Sequence, residues 1–262
     1  MPLSLEVGGE TLPAQYSMVA RVLSPGGATR LLAAHARAQR ATKGRERGEE
    51  HRGDLVNSLD PDDQRALNRF REYVRIPSIS QEGLSNGPYE ACVQFLASYC
   101  SAIPGCTTER LYLQHKKPVL LATLAGQDST LPCILLNSHY DVVPVTGQRW
   151  CCDPFGAEIR QGYDCGAAGS EDCVYGRGTQ DVKSVSCQYL EALLRLRTEG
   201  WKPLRTIHLT FVPDEEIGGR DGMESFSRSK AFTKLGPIAF ALDEGLASPG
   251  EKFVCFYGER IA

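Results

Sequence analysis

The stretch CILLNSHYDVVP, residues 133–144, runs from apolar residues directly into a histidine and an aspartate. Its start at 133–136 predicts a short buried strand. His139 and Asp141 are two positions apart, so in extended backbone both side chains leave the same face. A carboxylate in that position can orient an imidazole and raise its basicity. A histidine alone is more often structural, but this pairing favours a metal ligand that Asp141 steadies.

Two further stretches carry acidic side chains beside predicted elements. GRGTQD, residues 176–181, ends in Asp181 just before a predicted helix, and VPDEEIGG, residues 212–219, brings two adjacent glutamates to the end of an apolar run. Asp181 could be a simple helix N-cap, and Glu215 and Glu216 could be acids of a surface turn. In a metal site, one glutamate could ligate while the other acts as a general base. These alternatives stay open at this point.

The remaining pattern predicts an α/β fold, a mixed sheet flanked by helices. Glu244 follows the last predicted strand, and ligands in such sheets collect beyond the carboxyl ends of the strands. The third helix is expected to bury the face made of Val182, Val185, Tyr189, Leu193 and Leu196. The predicted strands are 119–124, 133–136, 206–212 and 238–242, and the predicted helices are 61–76, 89–100 and 182–199.

An imidazole combined with several carboxylates suits hard or borderline divalent metals such as Zn²⁺. One bridging carboxylate can hold two such ions about 3.5–4 Å apart. Other catalytic patterns fare worse, because the sequence has no H-E-x-x-H helix and no glycine-lysine phosphate loop. Metal-dependent hydrolysis is therefore the leading chemistry.

Composition and charge argue for a globular chain and against nucleic-acid or membrane binding. The 262 residues are 42% hydrophobic and 23% charged, with a net charge of -3 and a pI near 6.0. Nucleic acids and anionic membranes select clustered cationic faces instead, and no apolar run approaches the roughly 20 residues that cross a bilayer. The first ten residues do not look like a secretion signal, so we expect a cytoplasmic location with the ten cysteines as thiols.

The first 60 residues differ from the rest of the chain. No acidic residue occurs between Glu10 and Glu46, while six basic residues accumulate among alanines and serines. An organelle-targeting segment has such a composition, but a disordered, solvated extension is the plainer interpretation. The folded part is therefore predicted at 61–262.

Four segments together resemble the aminoacylases, within the dinuclear zinc amidohydrolases and exopeptidases that also include deacetylases and carboxypeptidases. The resemblance runs from about Pro61 to Arg260. It implies hydrolysis of N-acyl-L-amino acids to a carboxylate and a free amino acid, by a cytosolic homodimer. The segments are ILLNSHYDVVPV (134–145), VYGRGTQDVKSVSCQYLEALLRL (174–196), RTIHLTFVPDEEIGGRDGMESF (205–226) and FALDEG (240–245).

The resemblance also implies a role for each site residue. His139 and Glu244 would hold one zinc ion, Asp181 would bridge, and Glu216 would hold the second ion. The same resemblance implies that Asp141 steadies His139 and that Glu215 is the general acid and base.

In family members, the chain continues into an inserted lid domain that dimerises. It then completes the catalytic domain with a segment that carries the last zinc histidine. No histidine follows His208 here. We therefore expect 61–262 to be the N-terminal part of a catalytic domain, with an incomplete second zinc site and no dimerisation domain. Whether this chain is active alone stays open. The alternatives are a dipeptidase or carboxypeptidase with the same metal chemistry, or a non-catalytic relative that acts as an interaction protein.

Overall fold

The computed structural model describes residues 19–21, 59–80, 87–161 and 172–244. The strands of this part are β1 (Val19–Arg21), β2 (Cys106–Gln114), β3 (Lys117–Leu124), β4 (Cys133–His139), β5 (Glu158–Gln161), β6 (Asp172–Tyr175), β7 (Ile207–Val212) and β8 (Ile238–Leu242). Its helices are α1 (Pro61–Val74), α2 (Pro88–Ser101), α3 (Lys183–Thr198), α4 (Ser225–Ser227) and α5 (Lys230–Thr233). A 3₁₀ turn at Glu215–Ile217 and a π turn at Arg220–Glu224 precede α4.

A five-stranded mixed sheet forms the centre of the fold, in the order β2-β3-β7-β4-β8. β2 pairs antiparallel with β3, and β3 pairs antiparallel with β7. β7, β4 and β8 run parallel to one another. Their carboxyl ends therefore meet at one edge of the sheet, which is where ligands collect in α/β folds.

The first helix begins as the sequence predicts. The Asp60 side chain accepts hydrogen bonds from the backbone N–H groups of Asp62 and Asp63, and Pro61 occupies the first turn. The buried face of α1 consists of Leu67, Phe70, Tyr73 and Val74, the residues expected from the helical period.

The sheet buries apolar residues on both faces, because successive side chains of a strand point to opposite sides. On β3, Leu120, Ala122 and Leu124 join a large core with α1, α2 and α3. Val119 and Leu121 face the other way and pack with Phe226 of α4 in a smaller core. The predicted α/β class, a mixed sheet flanked by helices, is confirmed.

A second, three-stranded antiparallel sheet has the order β1-β6-β5. Its strand β1, Val19–Arg21, lies inside the segment predicted as a basic extension and pairs with β6. Apart from residues 59 and 60, the rest of that segment lies outside the described residues, so the extension as a whole stays a prediction.

The predicted apolar face of α3 is partly wrong. The buried residues of α3 are Lys183, Ser186, Cys187, Leu190 and Leu193. Leu196 is exposed, and Val185 and Tyr189 are only partly buried. The physical reason is that α3 presents small and polar residues to the sheet, where the Ser186 hydroxyl lies 2.8 Å from that of Ser138.

The cysteines also differ from the prediction, as Cys151 shows. Cys151 is disulfide-bonded, so the expectation that all ten are thiols is wrong for this residue. Cys92, Cys100, Cys133 and Cys187 are buried free thiols, and Cys106 and Cys152 are partly buried free thiols. Among the described residues, no helix has the length and apolar character needed to span a membrane.

Candidate metal centre

Three parallel strands bring predicted ligands to one edge of the sheet. His139 is the last residue of β4, Glu215 and Glu216 occupy the turn after β7, and Glu244 follows β8. Asp181 enters the same edge from the loop that precedes α3. Side chains that are up to about a hundred positions apart in the chain therefore converge, as expected for the carboxyl ends of parallel strands.

The His139 ring is buried, and contacts on both of its nitrogens hold it in one orientation. Its Nε2 lies 3.0 Å from Asp181 Oδ1, 3.5 Å from Glu244 Oε2 and 3.8 Å from Glu215 Oε2. Its Nδ1 lies 2.9 Å from the backbone oxygen of Asp141, which can only accept a hydrogen bond. The proton therefore sits on Nδ1, and Nε2 is the nitrogen that can ligate a metal.

The predicted ligands form two overlapping groups, and within each group the ligand atoms lie within 4.8 Å of one another. One group is His139, Glu215 and Glu244, and the other is His139, Asp181 and Glu216. Distances alone do not separate the glutamate that ligates from the glutamate that acts as a base, so these roles stay predictions.

Asp141 links β4, which ends at His139, to the turn Glu215–Ile217, here called the glutamate turn. Its fully buried carboxylate accepts hydrogen bonds from Ser80 Oγ at 3.0 Å, from the Glu215 N–H at 3.1 Å and from the Glu216 N–H at 3.2 Å. One of its oxygens also lies 3.4 Å from His139 Nδ1. This one side chain fixes the imidazole and the backbone of both glutamates.

The crowded acids shift one another's protonation. Burial and the charge of Asp181 raise the pKa of Glu216 to about 7, and burial is also the main cause that raises the pKa of Glu215. Burial lowers the pKa of His139, but hydrogen bonds to Asp141 and Asp181 outweigh it and raise the pKa overall. The bond to His139 in turn lowers the pKa of Asp181. A bound cation would relieve the repulsion between these neighbouring carboxylates.

Sequence reasoning missed Lys183, which anchors the Asp181 loop. Its fully buried Nζ donates to the backbone oxygens of Tyr73 at 3.0 Å and Ile76 at 2.6 Å, at the end of α1. Lysines are almost never this buried without partners. Its position two residues after Asp181 is a signal that could have been read from the sequence.

Arg177 is a second residue that the sequence argument left out. Its buried guanidinium donates to Gln148 and lies 5.1 Å from the centre of the Trp150 indole ring. Burial lowers its pKa, while the charges of Glu216 and Asp181 act in the opposite direction. Arg177 thus places a positive charge within electrostatic reach of the carboxylates.

Asp214, directly before the glutamates, supports their turn from behind. It adopts a left-handed backbone with φ 62° and is almost fully buried. Its carboxylate lies 2.5 Å from Lys117 Nζ and accepts a hydrogen bond from the Tyr89 hydroxyl at 2.6 Å. Lys117 also lies 2.7 Å from an Asp221 carboxylate oxygen. The acidic residue adjoining the glutamate pair was the available sequence signal.

The fold and the clustered donors together define a class, the mixed-sheet α/β proteins with a candidate metal centre at the carboxyl ends of parallel strands. Comparison with known proteins agrees, because residues 135–253 match the model of Peptidase family M20/M25/M40. In a solved structure, the M20 family metallo-carboxypeptidase Sso-CP2 from Sulfolobus solfataricus has a TM-score of 0.55 at 23% identity, over 69% of this chain and 37% of that chain. At this identity the likeness concerns the fold alone.

Two mammalian proteins specify the relationship further. Aminoacylase-1 of Mus musculus is 42% identical over 206 residues, which make up 78% of this chain and 47% of that protein. Aminoacylase-1 of Sus scrofa is 47% identical over 193 residues, which make up 73% of this chain and 43% of that protein. The resemblance to the aminoacylases is confirmed, and the chain spans about half the length of these relatives.

Proposed function

We propose that this chain is part of a zinc-dependent amidohydrolase that cleaves N-acyl-L-amino acids into a carboxylate and a free L-amino acid. The observation that carries the proposal is the convergence of His139 Nε2 with the carboxylates of Asp181, Glu215, Glu216 and Glu244. The identity with two proteins named aminoacylase-1 supports the substrate class.

The chemistry of the donor set fits a divalent metal. An imidazole nitrogen and carboxylate oxygens are zinc ligands, and the hydrogen bond from Nδ1 to the Asp141 backbone is the usual way of holding a ligating ring. In the proposal, His139 and Glu244 would hold one ion, Asp181 would contribute to both, and Glu216 would hold the second. When bound, such ions supply Lewis-acid chemistry, which polarises a carbonyl group and acidifies a water molecule.

Glu215 is the proposed general base and acid. Of the carboxylates measured from His139 Nε2, its oxygen is the most distant at 3.8 Å, and its side chain is 49% exposed. Burial raises its pKa toward the range in which a carboxylate exchanges protons efficiently near neutral pH. Glu215 takes a proton from the attacking water and passes it to the leaving nitrogen. Asp141 acts through the orientation of His139.

The proposal extends to the complete protein. It comprises two zinc ions per site, a small-molecule acyl amino acid as substrate, a homodimer and a cytoplasmic location. Within this chain it assigns residues 1–60 to a basic extension and residues 61–262 to the N-terminal part of the catalytic domain.

Zinc binding tests the proposal without requiring the whole protein. The purified chain is stripped with a chelator, reloaded with Zn²⁺ and analysed for bound metal, alongside Glu215→Gln and Glu216→Gln. We expect Glu215→Gln to keep the zinc content of the parent and Glu216→Gln to lose part of it. Equal zinc content in the parent and in His139→Ala would contradict the metal centre.

Turnover separates the proposed activity from its alternatives. N-acetyl-methionine and dipeptides are compared as substrates of the zinc-loaded chain and of Glu215→Gln. Cleavage of the acyl amino acid that Glu215→Gln abolishes supports the proposal. A preference for dipeptides would favour an exopeptidase, the candidate that the match to Peptidase family M20/M25/M40 also allows. Zinc binding with no turnover of either substrate would favour a non-catalytic role for this chain.

A further inference from the structure

The connection between α2 and β2 brings two cysteines together. Cys100 lies in the last turn of α2 and Cys106 is the first residue of β2. The Ile103 N–H donates to the Cys100 oxygen at 3.0 Å, and the Cys106 N–H donates to the Ile103 oxygen at 3.0 Å. Gly105, with φ +80°, permits the tight reversal between them. Two successive turns therefore fold the short connection back on itself.

The Cys100 and Cys106 side chains pack in the same hydrophobic core. The side chains of Cys100 and Cys106 are hydrogen-bonded to each other, and both are free thiols. Cys100 is fully buried, whereas Cys106 is only partly buried against the core. The pair thus has one protected sulfur and one sulfur that a small molecule can reach.

We propose that Cys100 and Cys106 form a dithiol site that glutathione disulfide, or another small disulfide, converts into an intramolecular disulfide. Side chains that already interact across so short a connection need little backbone movement to reach disulfide geometry. Cys106 is the attacking sulfur because it is the accessible member, and Cys100 is the resolving sulfur.

The surroundings of Cys106 favour its thiolate. The hydrogen bond from Cys100 lowers the pKa of Cys106, and a backbone hydrogen bond involving Thr123 acts in the same direction. The Arg197 guanidinium stands beside the connection, where its Nε donates to the Pro104 oxygen at 2.8 Å. A fixed cation at this place suits the approach of an anionic oxidant such as glutathione disulfide.

The exchange balances without any further reactant. The Cys106 thiolate attacks one sulfur of glutathione disulfide, which forms a mixed disulfide and releases one glutathione thiolate. The Cys100 sulfur then attacks the Cys106 sulfur and releases the second glutathione, while the Cys100 proton passes to a released thiolate or to solvent. Two protein thiols are oxidised by two electrons, and one glutathione disulfide is reduced to two glutathione molecules.

The dithiol site is separate from the metal centre. Cys106 pairs with Leu124 on β3, and Leu124 pairs with Ile207, the first residue of β7. The glutamate turn follows the opposite end of β7. Oxidation of the cysteines can therefore be measured whether or not the chain binds zinc or hydrolyses amides.

The test uses the full 262-residue chain. The reduced chain is incubated with glutathione disulfide, remaining thiols are blocked with iodoacetamide, and the peptide that contains both cysteines is analysed by mass spectrometry. No Lys, Arg or aromatic residue lies between Cys100 and Cys106, so trypsin and chymotrypsin leave them on one peptide. We expect this peptide to lose about 2 Da, the mass of two hydrogens, and to resist fragmentation between the two cysteines.

Two variants provide the controls. Cys106→Ser should abolish the mass loss, and Cys152→Ser, which removes another partly buried thiol, should leave it unchanged. The site is wrong if both cysteines of the oxidised parent still react with iodoacetamide. A stable glutathione adduct on Cys106 without closure of the disulfide would also overturn it.

Discussion

Asp141 has the largest set of hydrogen bonds at the site, and its substitution is therefore informative. The variant Asp141→Asn keeps the volume but replaces one acceptor oxygen by an amide, which then faces either the Glu215 N–H or both the Glu216 N–H and the Ser80 hydroxyl. We expect about 1–3 kcal/mol of destabilisation and a loss of about 10–100-fold in zinc affinity. Urea unfolding and zinc titration measure both effects.

Asp128 offers a matched control. It is only partly buried and accepts hydrogen bonds from Thr130 in a turn away from the metal centre. Asp128→Asn should therefore leave zinc affinity unchanged. If Asp128→Asn and Asp141→Asn weaken zinc binding equally, Asp141 does not orient the site.

Glu216 gives the metal-free chain a pH-dependent stability. Its pKa is raised from 4.5 to about 7 in the folded state, so its stabilising contribution is present below pH 4.5 and is lost as the pH rises through 7. One pKa unit corresponds to about 1.4 kcal/mol, and solvent at this partly buried side chain reduces the effect, so we expect about 1–2 kcal/mol. Thermal unfolding at pH 5 and pH 7.5 measures it.

Glu216→Gln should remove that part of the pH dependence, because glutamine does not titrate. Zinc binding has the matching dependence, since a ligand must be deprotonated, and affinity should fall below pH 7 in the parent. Identical stability profiles for the parent and for Glu216→Gln would contradict the raised pKa.

At the scale of secondary-structure elements, Lys183 joins the start of α3 to the end of α1. Lys183→Met preserves most of the volume but removes the amine that donates to the Tyr73 and Ile76 oxygens, which keep only their backbone donors, the Ile76 and Ser78 N–H groups. We expect a loss of about 2 kcal/mol in the free energy of unfolding. Because Asp181 lies two residues before Lys183, zinc affinity should fall as well.

The exposed Lys202 supplies the comparison for this variant. Lys202→Met should change the free energy of unfolding by less than about 0.5 kcal/mol, as is usual for surface substitutions. Urea unfolding of both variants checks this. A Lys183→Met protein as stable as Lys202→Met would show that the buried amine does not hold α1 and α3 together.

The elements that the sequence predicted best are those with a clear apolar signal. Helix α1 and strand β8 have such a signal, and β8 occupies exactly the predicted residues. Strand β2 was missed because most of its residues are exposed and polar, so it lacks the apolar pattern of a buried strand. The face of α3 was misjudged because Ser186 and Cys187, and not Tyr189 and Leu196, are buried.

The same reasoning explains which parts of the site could be predicted. His139 ends β4, and Glu216 and Glu244 lie a few residues after β7 and β8, so their convergence follows from the shared edge of a parallel sheet. The support given by Lys183 and Asp214 could not be predicted in the same way. It depends on contacts with α1 and β3, which are more than 90 residues distant in the chain.

On the scale of the whole molecule, bound zinc should stabilise the fold, because its proposed ligands come from β4, β7, β8 and the start of α3. A ligand present at 100 times its dissociation constant stabilises the folded state by about 2.7 kcal/mol. We expect zinc to raise the unfolding temperature and a chelator to reverse the change, as measured by calorimetry. His139→Ala should show neither response, and a full response in that variant would argue against this centre.

The strand order has a consequence for how the protein acquires its metal. β4 is complete at His139, yet both of its parallel neighbours, β7 and β8, are contributed by chain that follows much later. Parallel pairing between such distant segments is slow compared with the formation of local contacts. A nascent polypeptide therefore has no finished cation pocket until β8 has docked, and premature capture of zinc by the early segments is disfavoured.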